Sequence, residues 1–204
     1  TQYRPFRYGA VIPATLASDI TGRLDSAPDG SSVWRQRITS PGAFTIAVVF
    51  DIWELPEGAQ VFLYDDARRE VLGAYTASLN NPHRSLGVEP ITGDTLTIEY
   101  VIPAGHEPVV LQVGQVIHDY RNLRDPRLWE VSGGGFTGSC LVNVNCPAGA
   151  NYQIVKRAAI RTLAGGGLCS GAILNNTNDD MTPYMLTANH CGNMVNAVFL
   201  FGYE

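Results

Sequence analysis

The sequence has no uninterrupted apolar stretch of about 18 residues, the length at which a membrane-spanning helix is suspected. It also lacks a cluster of lysine and arginine that could form a footprint on nucleic acid, and its formal net charge is -5. We therefore expect neither a membrane span nor a nucleic-acid partner. The opening residues, TQYRPFRYGA, do not resemble a signal peptide, so we expect any such signal to have been removed.

Cysteine is absent from the first 139 residues, and all four cysteines follow them. This distribution is typical of an exported protein whose disulfide bonds are confined to one domain. A zinc site is the competing interpretation. The spacing between Cys140 and Cys146, and between Cys169 and Cys191, is too wide for a Cys-x-x-Cys pair. We therefore expect no metal and no other cofactor.

Convincing helices are also missing, and short strands separated by turn signals take their place. Residues 1–30 show little periodicity. The predicted strands that follow are 33–38, 43–50, 60–64, 71–76, 95–101 and 108–116. This spacing of strands and turns predicts an all-β fold that begins with an antiparallel β-sandwich.

The stretch with the most chemistry is residues 169–192, CSGAILNNTNDDMTPYMLTANHCG. Cys169 and Cys191 bracket His190, and the segment between them reads as two short strands, 172–174 and 184–186, joined by a polar loop. His190 follows the second strand. Because histidine titrates near neutrality, it can take and return a proton at working pH.

The order Cys-x-Gly, apolar strand, Leu-Thr-Ala-x-His-Cys resembles the catalytic-histidine region of chymotrypsin-fold serine proteases. The resemblance implies that His190 is the general base and that Cys169 and Cys191 form the disulfide that fixes its loop. The alternative is a structural histidine beside a disulfide in an unrelated β-hairpin.

A second resemblance sets the domain organisation. The segment GFTGSC, which ends at Cys140, is followed six positions later by Cys146, as at the start of mature lysyl endopeptidases. Residues 1–132 are similar to the pro-region of such enzymes, through Trp34, the Gly-Ala pair at 42–43 and the LPEGA turn at 55–59. Residues 133–204 would then be the N-terminal portion of a chymotrypsin-like β-barrel, left incomplete. An accessory sandwich that binds carbohydrate or acts as a spacer is the alternative for residues 1–132.

Residues 118–135 combine charge with three glycines, a linker composition that a protease could cut. No lysine precedes Gly135, so maturation would need an arginine site or another protease. Lys156 is the single lysine among 14 basic residues. Codon bias explains this simply, and avoidance of self-cleavage by a lysine-specific protease is the sharper alternative. His118 and Asp119, at adjacent strand positions, are expected to be a surface pair and not a catalytic dyad.

The other members of a catalytic triad are absent. Neither Gly-Asp-Ser-Gly nor Gly-x-Ser-x-Gly occurs. Ser139 belongs to the opening segment, and Ser170 is expected to pack beneath the histidine, as in the family. Asp179 and Asp180 are expected to form turns. The resemblance thus implies that this chain alone lacks the triad aspartate and serine and is inactive.

Cys140 and Cys146 are left over, and the resemblance implies that their partners lie outside this chain. The apolar strand at 198–201 has no continuation, so we expect the front part of a longer zymogen. The full protein would be a secreted serine endopeptidase, extracellular or in transit through the periplasm. It would cleave polypeptides after lysine or another basic residue, with the remaining C-terminal part of the protease as partner. The alternative is a β-sandwich binding module attached to an inactive protease-like remnant.

Overall fold

The computed structural model describes residues 6–125 and 144–202. These residues contain fifteen strands, and every strand pair among them is antiparallel. The predicted all-β fold is therefore confirmed. Backbone contacts divide the chain into two compact units, residues 9–122 and the remainder, which joins residues up to 8 with those from 123 onward. In the part of the chain that is described, no helix is long and apolar enough to cross a membrane.

Residues 9–122 form two antiparallel sheets. The strands are β2 Gly9–Ala17, β3 Arg23–Ser26, β4 Ser32–Thr39, β5 Thr45–Ile52, β6 Gln60–Tyr64, β7 Val71–Tyr75, β8 Leu86–Gly87, β9 Ile91–Thr92, β10 Thr95–Ile102 and β11 Gln112–Asp119. One sheet has the order β3-β4-β10-β6-β7. The other has the order β2-β11-β5-β8, with β9 also paired to β5. We call this unit the sandwich unit.

One apolar core draws on both sheets of the sandwich unit. β10 alternates buried and half-buried residues along its whole length, as a strand with one covered face should. β5 is buried almost continuously, and its Phe50 ring lies 5.1 Å from that of Trp53. The core extends from Trp34 to Val116. The predicted sandwich thus has the buried interface between sheets that such a fold requires.

Four strands of the sandwich unit were not predicted: β2, β3 and the two-residue strands β8 and β9. β2 contains Pro13, which is tolerated because β2 is the edge strand of its sheet. The register between β2 and β11 shifts between Val113 and Gln115, so the side-chain alternation is interrupted there. A Cβ atom added to Gly114, between them, would collide with the Asp51 carboxylate. Local irregularity of this kind weakens the period-two signal that sequence analysis uses.

The second unit is an open sheet. Its strands are β1 Phe6–Arg7, β12 Ala159–Ala164, β13 Gly167–Leu174, β14 Tyr184–Thr187 and β15 Val198–Phe201, in the order β1-β13-β12-β15 with β14 also paired to β13. Short 3-10 helices cover Pro147–Tyr152, Val155–Ala158 and Asn189–Cys191. We call this unit the histidine unit. No sheet among the described residues closes into a barrel.

Two details of the histidine unit differ from expectation. The run KRAAI at residues 156–160 predicts a strand from the sequence, but β12 begins only at Ala159, because residues 155–158 form a turn of 3-10 helix. The strand Phe6–Arg7 was not predicted and pairs with β13. The proposed boundary between residues 132 and 133 lies outside the described residues and stays a prediction.

Candidate active site

His190 lies on a short, well-defined turn. β14 ends at Thr187, and the 3-10 helix Asn189–Cys191 follows. The Cys191 N–H donates to the Ala188 carbonyl oxygen at 2.9 Å, which closes the turn. Gly192 then leaves it with a φ of 79°, a backbone conformation that favours glycine. The His190 side chain is exposed, so a proton donor from solvent or from another protein segment can reach it.

A disulfide joins the histidine turn to β13. Cys169 and Cys191 are bonded, with their Cα atoms 5.9 Å apart. The predicted pairing of these two cysteines is confirmed. The nearest ligand atoms of Cys169, His190 and Cys191 all lie within 4.8 Å of one another. Because both sulfurs are committed to the disulfide, they offer no thiolate, and this cluster does not fit a zinc ion.

Two motif residues, Gly171 and Thr187, have a structural role where β13 pairs with β14. Gly171 lies opposite Thr187, and a Cβ atom at Gly171 would lie 2.7 Å from the Leu186 carbonyl oxygen. The Thr187 hydroxyl donates to the Ser170 carbonyl oxygen at 2.8 Å, fastening β14 just before the histidine turn. The Ser170 residue itself is exposed. The expectation that Ser170 packs beneath the histidine stays a prediction.

The two aspartates of the connecting loop serve the loop itself. The Asn175 amide donates to Asp179 and the Asn176 amide to Asp180, both at 2.6 Å. The Thr182 N–H also donates to Asp180, at 3.0 Å. Hydrogen bonds from the Thr182 side chain, then from Asn176 and the Thr182 backbone, lower the pKa of Asp180 from 3.8 to about 2. Their predicted role in turns is confirmed.

His118 and Asp119 do not form a surface pair. Asp119 is fully buried, where it accepts a hydrogen bond from the Thr45 hydroxyl at 3.0 Å and from the Arg121 N–H at 2.8 Å. The His118 Nδ1 atom forms a hydrogen bond with the Ser40 hydroxyl at 2.8 Å. The prediction of a surface pair is wrong for Asp119, since its side chain points inward from β11. That the two side chains have different partners agrees with the prediction that they do not cooperate.

Other predicted residues contribute nothing visible to the site. Ser139 and Cys140 lie outside the described residues. Cys146 is free and exposed, so its expected pairing with a cysteine beyond this chain stays a prediction. Sequence analysis missed residues 6–8, which pair beside Cys169. Their alternation of two aromatic residues with Arg7 was a strand signal too short to use.

Comparison with known proteins adds two findings. Residues 134–202 match the family model described as the C-terminal domain of lysyl endopeptidase. A lysyl endopeptidase of Pseudomonas aeruginosa is 29% identical over 181 residues, which cover 80% of this chain. The chain spans 38% of the length of that relative. The protein is thus lysyl endopeptidase-like, as the sequence motifs indicated, and the family match at 134–202 includes His190.

Proposed function

We propose, from the similarity to lysyl endopeptidases and the geometry around His190, that this chain is the front part of a serine endopeptidase. The observation that carries the proposal is an exposed histidine on a turn that a disulfide and two strands hold in place. A general base needs such placement, because proton transfer fails when the donor and acceptor are misplaced by an ångström.

In this mechanism, His190 removes the proton from a serine hydroxyl as the oxygen attacks the substrate carbonyl. It then returns the proton to the leaving amine. The serine, and the aspartate that orients the ring, would come from protease residues beyond those of this chain. The 204 residues alone are therefore expected to be inactive.

We propose lysine, or another basic residue, on the acyl side of the cleaved bond. The near absence of lysine supports this, because a lysine-specific protease rich in lysine would be its own substrate. Lys156 is half-buried, and its ammonium group donates to the Asn145 side chain at 2.9 Å. It also lies in a 3-10 turn, so the Lys156–Arg157 bond is not presented in an extended form.

Residues 9–122 are proposed to be part of a pro-region, and export is proposed because a disulfide persists in oxidising compartments. The polypeptide substrate and the remainder of the protease are the proposed partners. A sandwich binding module attached to an inactive remnant is the competing function.

The test uses the longer natural protein, assayed with matched lysyl and arginyl peptide substrates. His190→Ala should lower kcat about 10⁴-fold or more, because the general base is lost. His106→Ala, which removes an exposed histidine of the sandwich unit, is the matched control and should retain full activity. Equal background rates for the unmodified protein and His190→Ala would favour the binding-module function.

A further inference from the structure

The histidine turn is attached to β13 at both of its ends. At its C-terminal end, Cys191 is bonded to Cys169. At its N-terminal end, the Thr187 hydroxyl donates to the Ser170 carbonyl oxygen at 2.8 Å. The two attachment points on β13 are neighbours in the sequence, and only the three residues 188–190 lie between the two tethers. The histidine therefore belongs to a short segment that one strand holds at both ends.

β13 is a firm support for these two tethers. It is an interior strand of its sheet, paired with β12 over residues 167–172 and with β14 on its other edge. Its Leu168 is buried, and its Gly171 lies so close to β14 that a Cβ atom would be 2.7 Å from the Leu186 carbonyl oxygen. A strand that is paired on both edges opens less readily than a loop. A group attached to β13 is therefore held firmly within the unit.

The backbone pairing of β14 with β13 ends where the threonine tether is made. The last pair is Gly171 with Thr187, and the 3-10 turn Asn189–Cys191 follows. The disulfide acts at the far end of that turn, through side-chain bonds that can rotate. The Thr187 hydroxyl adds a side-chain hydrogen bond at the near end, just before the turn begins. The two tethers thus constrain different ends of the same turn.

The chemistry of threonine suits the near end of the turn. Its hydroxyl donates to a carbonyl oxygen, which a valine side chain cannot do. Its branched β-carbon restricts χ1, so the hydroxyl loses little rotamer freedom when it bonds to its acceptor. Serine keeps the hydroxyl without the branch, and valine keeps the shape without the hydroxyl. These two substitutions therefore separate the hydrogen bond from the packing.

We propose that Thr187 is a positioning residue for His190. Its bond to Ser170 fixes where the chain enters the histidine turn, while the disulfide fixes where the chain leaves it. A general base must be placed to within a fraction of an ångström, so a loose entry to the turn would misplace the imidazole ring. The inference rests on the proposed function for the role of His190 as general base, but the placement of the turn can be measured without it.

The first test measures the turn in the 204-residue chain, without enzymatic activity. The Cys191 N–H donates to the Ala188 carbonyl oxygen, so its hydrogen exchange reports on closure of the turn. Thr187→Val should make this amide exchange about three to ten times faster, because a side-chain hydrogen bond is lost. Thr187→Ser should stay within about twofold of the unmodified chain. Thr177→Val, at an exposed threonine of the loop between β13 and β14, is the matched control and should change nothing.

The amides of β12 show whether the valine variant still folds. They should stay protected in Thr187→Val, because valine suits a strand as well as threonine does. If the whole sheet loses protection in that variant, Thr187→Ser decides the question. Retained protection of the Cys191 amide in Thr187→Ser supports the hydrogen bond, and an equal loss there overturns it.

The second test uses the longer natural protein and the lysyl and arginyl peptide substrates. Thr187→Val should lower kcat about 10- to 100-fold and leave KM within about twofold, because the ring is misplaced while the contacts to the substrate are kept. Each rate is divided by the fraction of folded protein, so that a loss of folding does not count as a loss of kcat. Thr187→Ser should return kcat to within about threefold of the unmodified protein. Thr177→Val should keep kcat in full.

Positioning by Thr187 is overturned if Thr187→Val leaves either the exchange of the Cys191 amide or the kcat of an active protein unchanged. It is also overturned if Thr187→Ser is as impaired as Thr187→Val. If the unmodified longer protein hydrolyses neither peptide, the proposed function fails, and the exchange rates alone decide whether Thr187 positions the turn. The two failures are therefore distinguishable.

Discussion

The two units of this protein are stabilised in different ways, one by a buried apolar core and the other in part by a disulfide. The sandwich unit contains no cysteine and has a core of fully buried residues drawn from two sheets. The histidine unit has few fully buried side chains among its described residues, and large apolar residues such as Tyr184, Leu186 and Phe201 are more than half exposed. It also carries the disulfide. The comparison teaches that a covalent link compensates where burial is small, and that this link joins β13 to the turn that carries His190.

The largest effect expected from the comparison is a cavity in the sandwich core. Phe50→Ala removes a ring with no exposed surface and should lower the free energy of unfolding by about 3–5 kcal/mol. Phe201→Ala, at a ring that is 58% exposed in the histidine unit, should change it by less than about 0.5 kcal/mol. Urea unfolding followed by tryptophan fluorescence measures the first, and amide exchange of β15 measures the second. Similar losses at both sites would contradict the contrast in burial.

The next largest loss of stability is expected when the disulfide is removed. Its two cysteines are separated by 22 positions in the sequence. The double variant Cys169→Ser/Cys191→Ser should lower the stability of the histidine unit by about 3 kcal/mol in the chain-entropy model. The sandwich unit should be unaffected. Cys146→Ser is the matched control, because Cys146 is free. Amide exchange reports each unit separately, and an equal loss of protection in the sandwich unit would show that the two units do not unfold independently.

Strands with a regular alternation of side chains were predictable from the sequence, whereas irregular strands were not. In β10, strict alternation over eight residues made both the strand and its buried face predictable. β2 was missed because Pro13 and the register shift at Gly114 interrupt the alternation. The pairing of Cys169 with Cys191 was predicted through a family resemblance, since spacing alone does not fix connectivity.

Other features depend on contacts that a sequence does not display. The burial of Asp119 depends on Thr45, which lies 74 positions away and supplies the hydrogen bond that makes burial tolerable. The pairing of β1 with β13 joins residues more than 150 positions apart, and a two-residue strand has no detectable period. The burial of Asp119 and the pairing of β1 with β13 both depend on contacts between residues that are far apart in sequence.

The buried polar pair of the sandwich unit should show an intermediate effect. Thr45→Val removes the hydroxyl that donates to the Asp119 carboxylate and should cost about 1–3 kcal/mol, because a buried acceptor loses a partner. Thr39→Val, at an exposed position of β4, is the control and should be nearly neutral. Both are measured by urea unfolding. A neutral Thr45→Val would mean that Asp119 does not need this bond.

The smallest effect is a pH response in the loop before the histidine. The pKa of Asp180 is about 2 in the folded protein and 3.8 as its unperturbed value. Because the folded value is the lower one, the bonds to Asp180 stabilise the loop fully above pH 3.8, and this contribution is lost as the pH falls through about 2. A carboxyl-carbon NMR titration should find the low pKa, and Asn176→Ala should raise it toward 3.8. An unchanged pKa in that variant would contradict the role of Asn176.

The most direct test of the account is whether His190 lies beside a bound substrate. A lysyl chloromethyl ketone, incubated with the longer natural protein, should bind like a substrate and place its chloromethyl carbon near the general base. A ring nitrogen of His190 would displace chloride and form a stable C–N bond. Peptide mapping by mass spectrometry should find one label per molecule, on His190, and none on the protein denatured beforehand. Labelling of His83, His106 or His118 instead, or no labelling at all, would contradict the assignment of His190 as the proton-transferring residue.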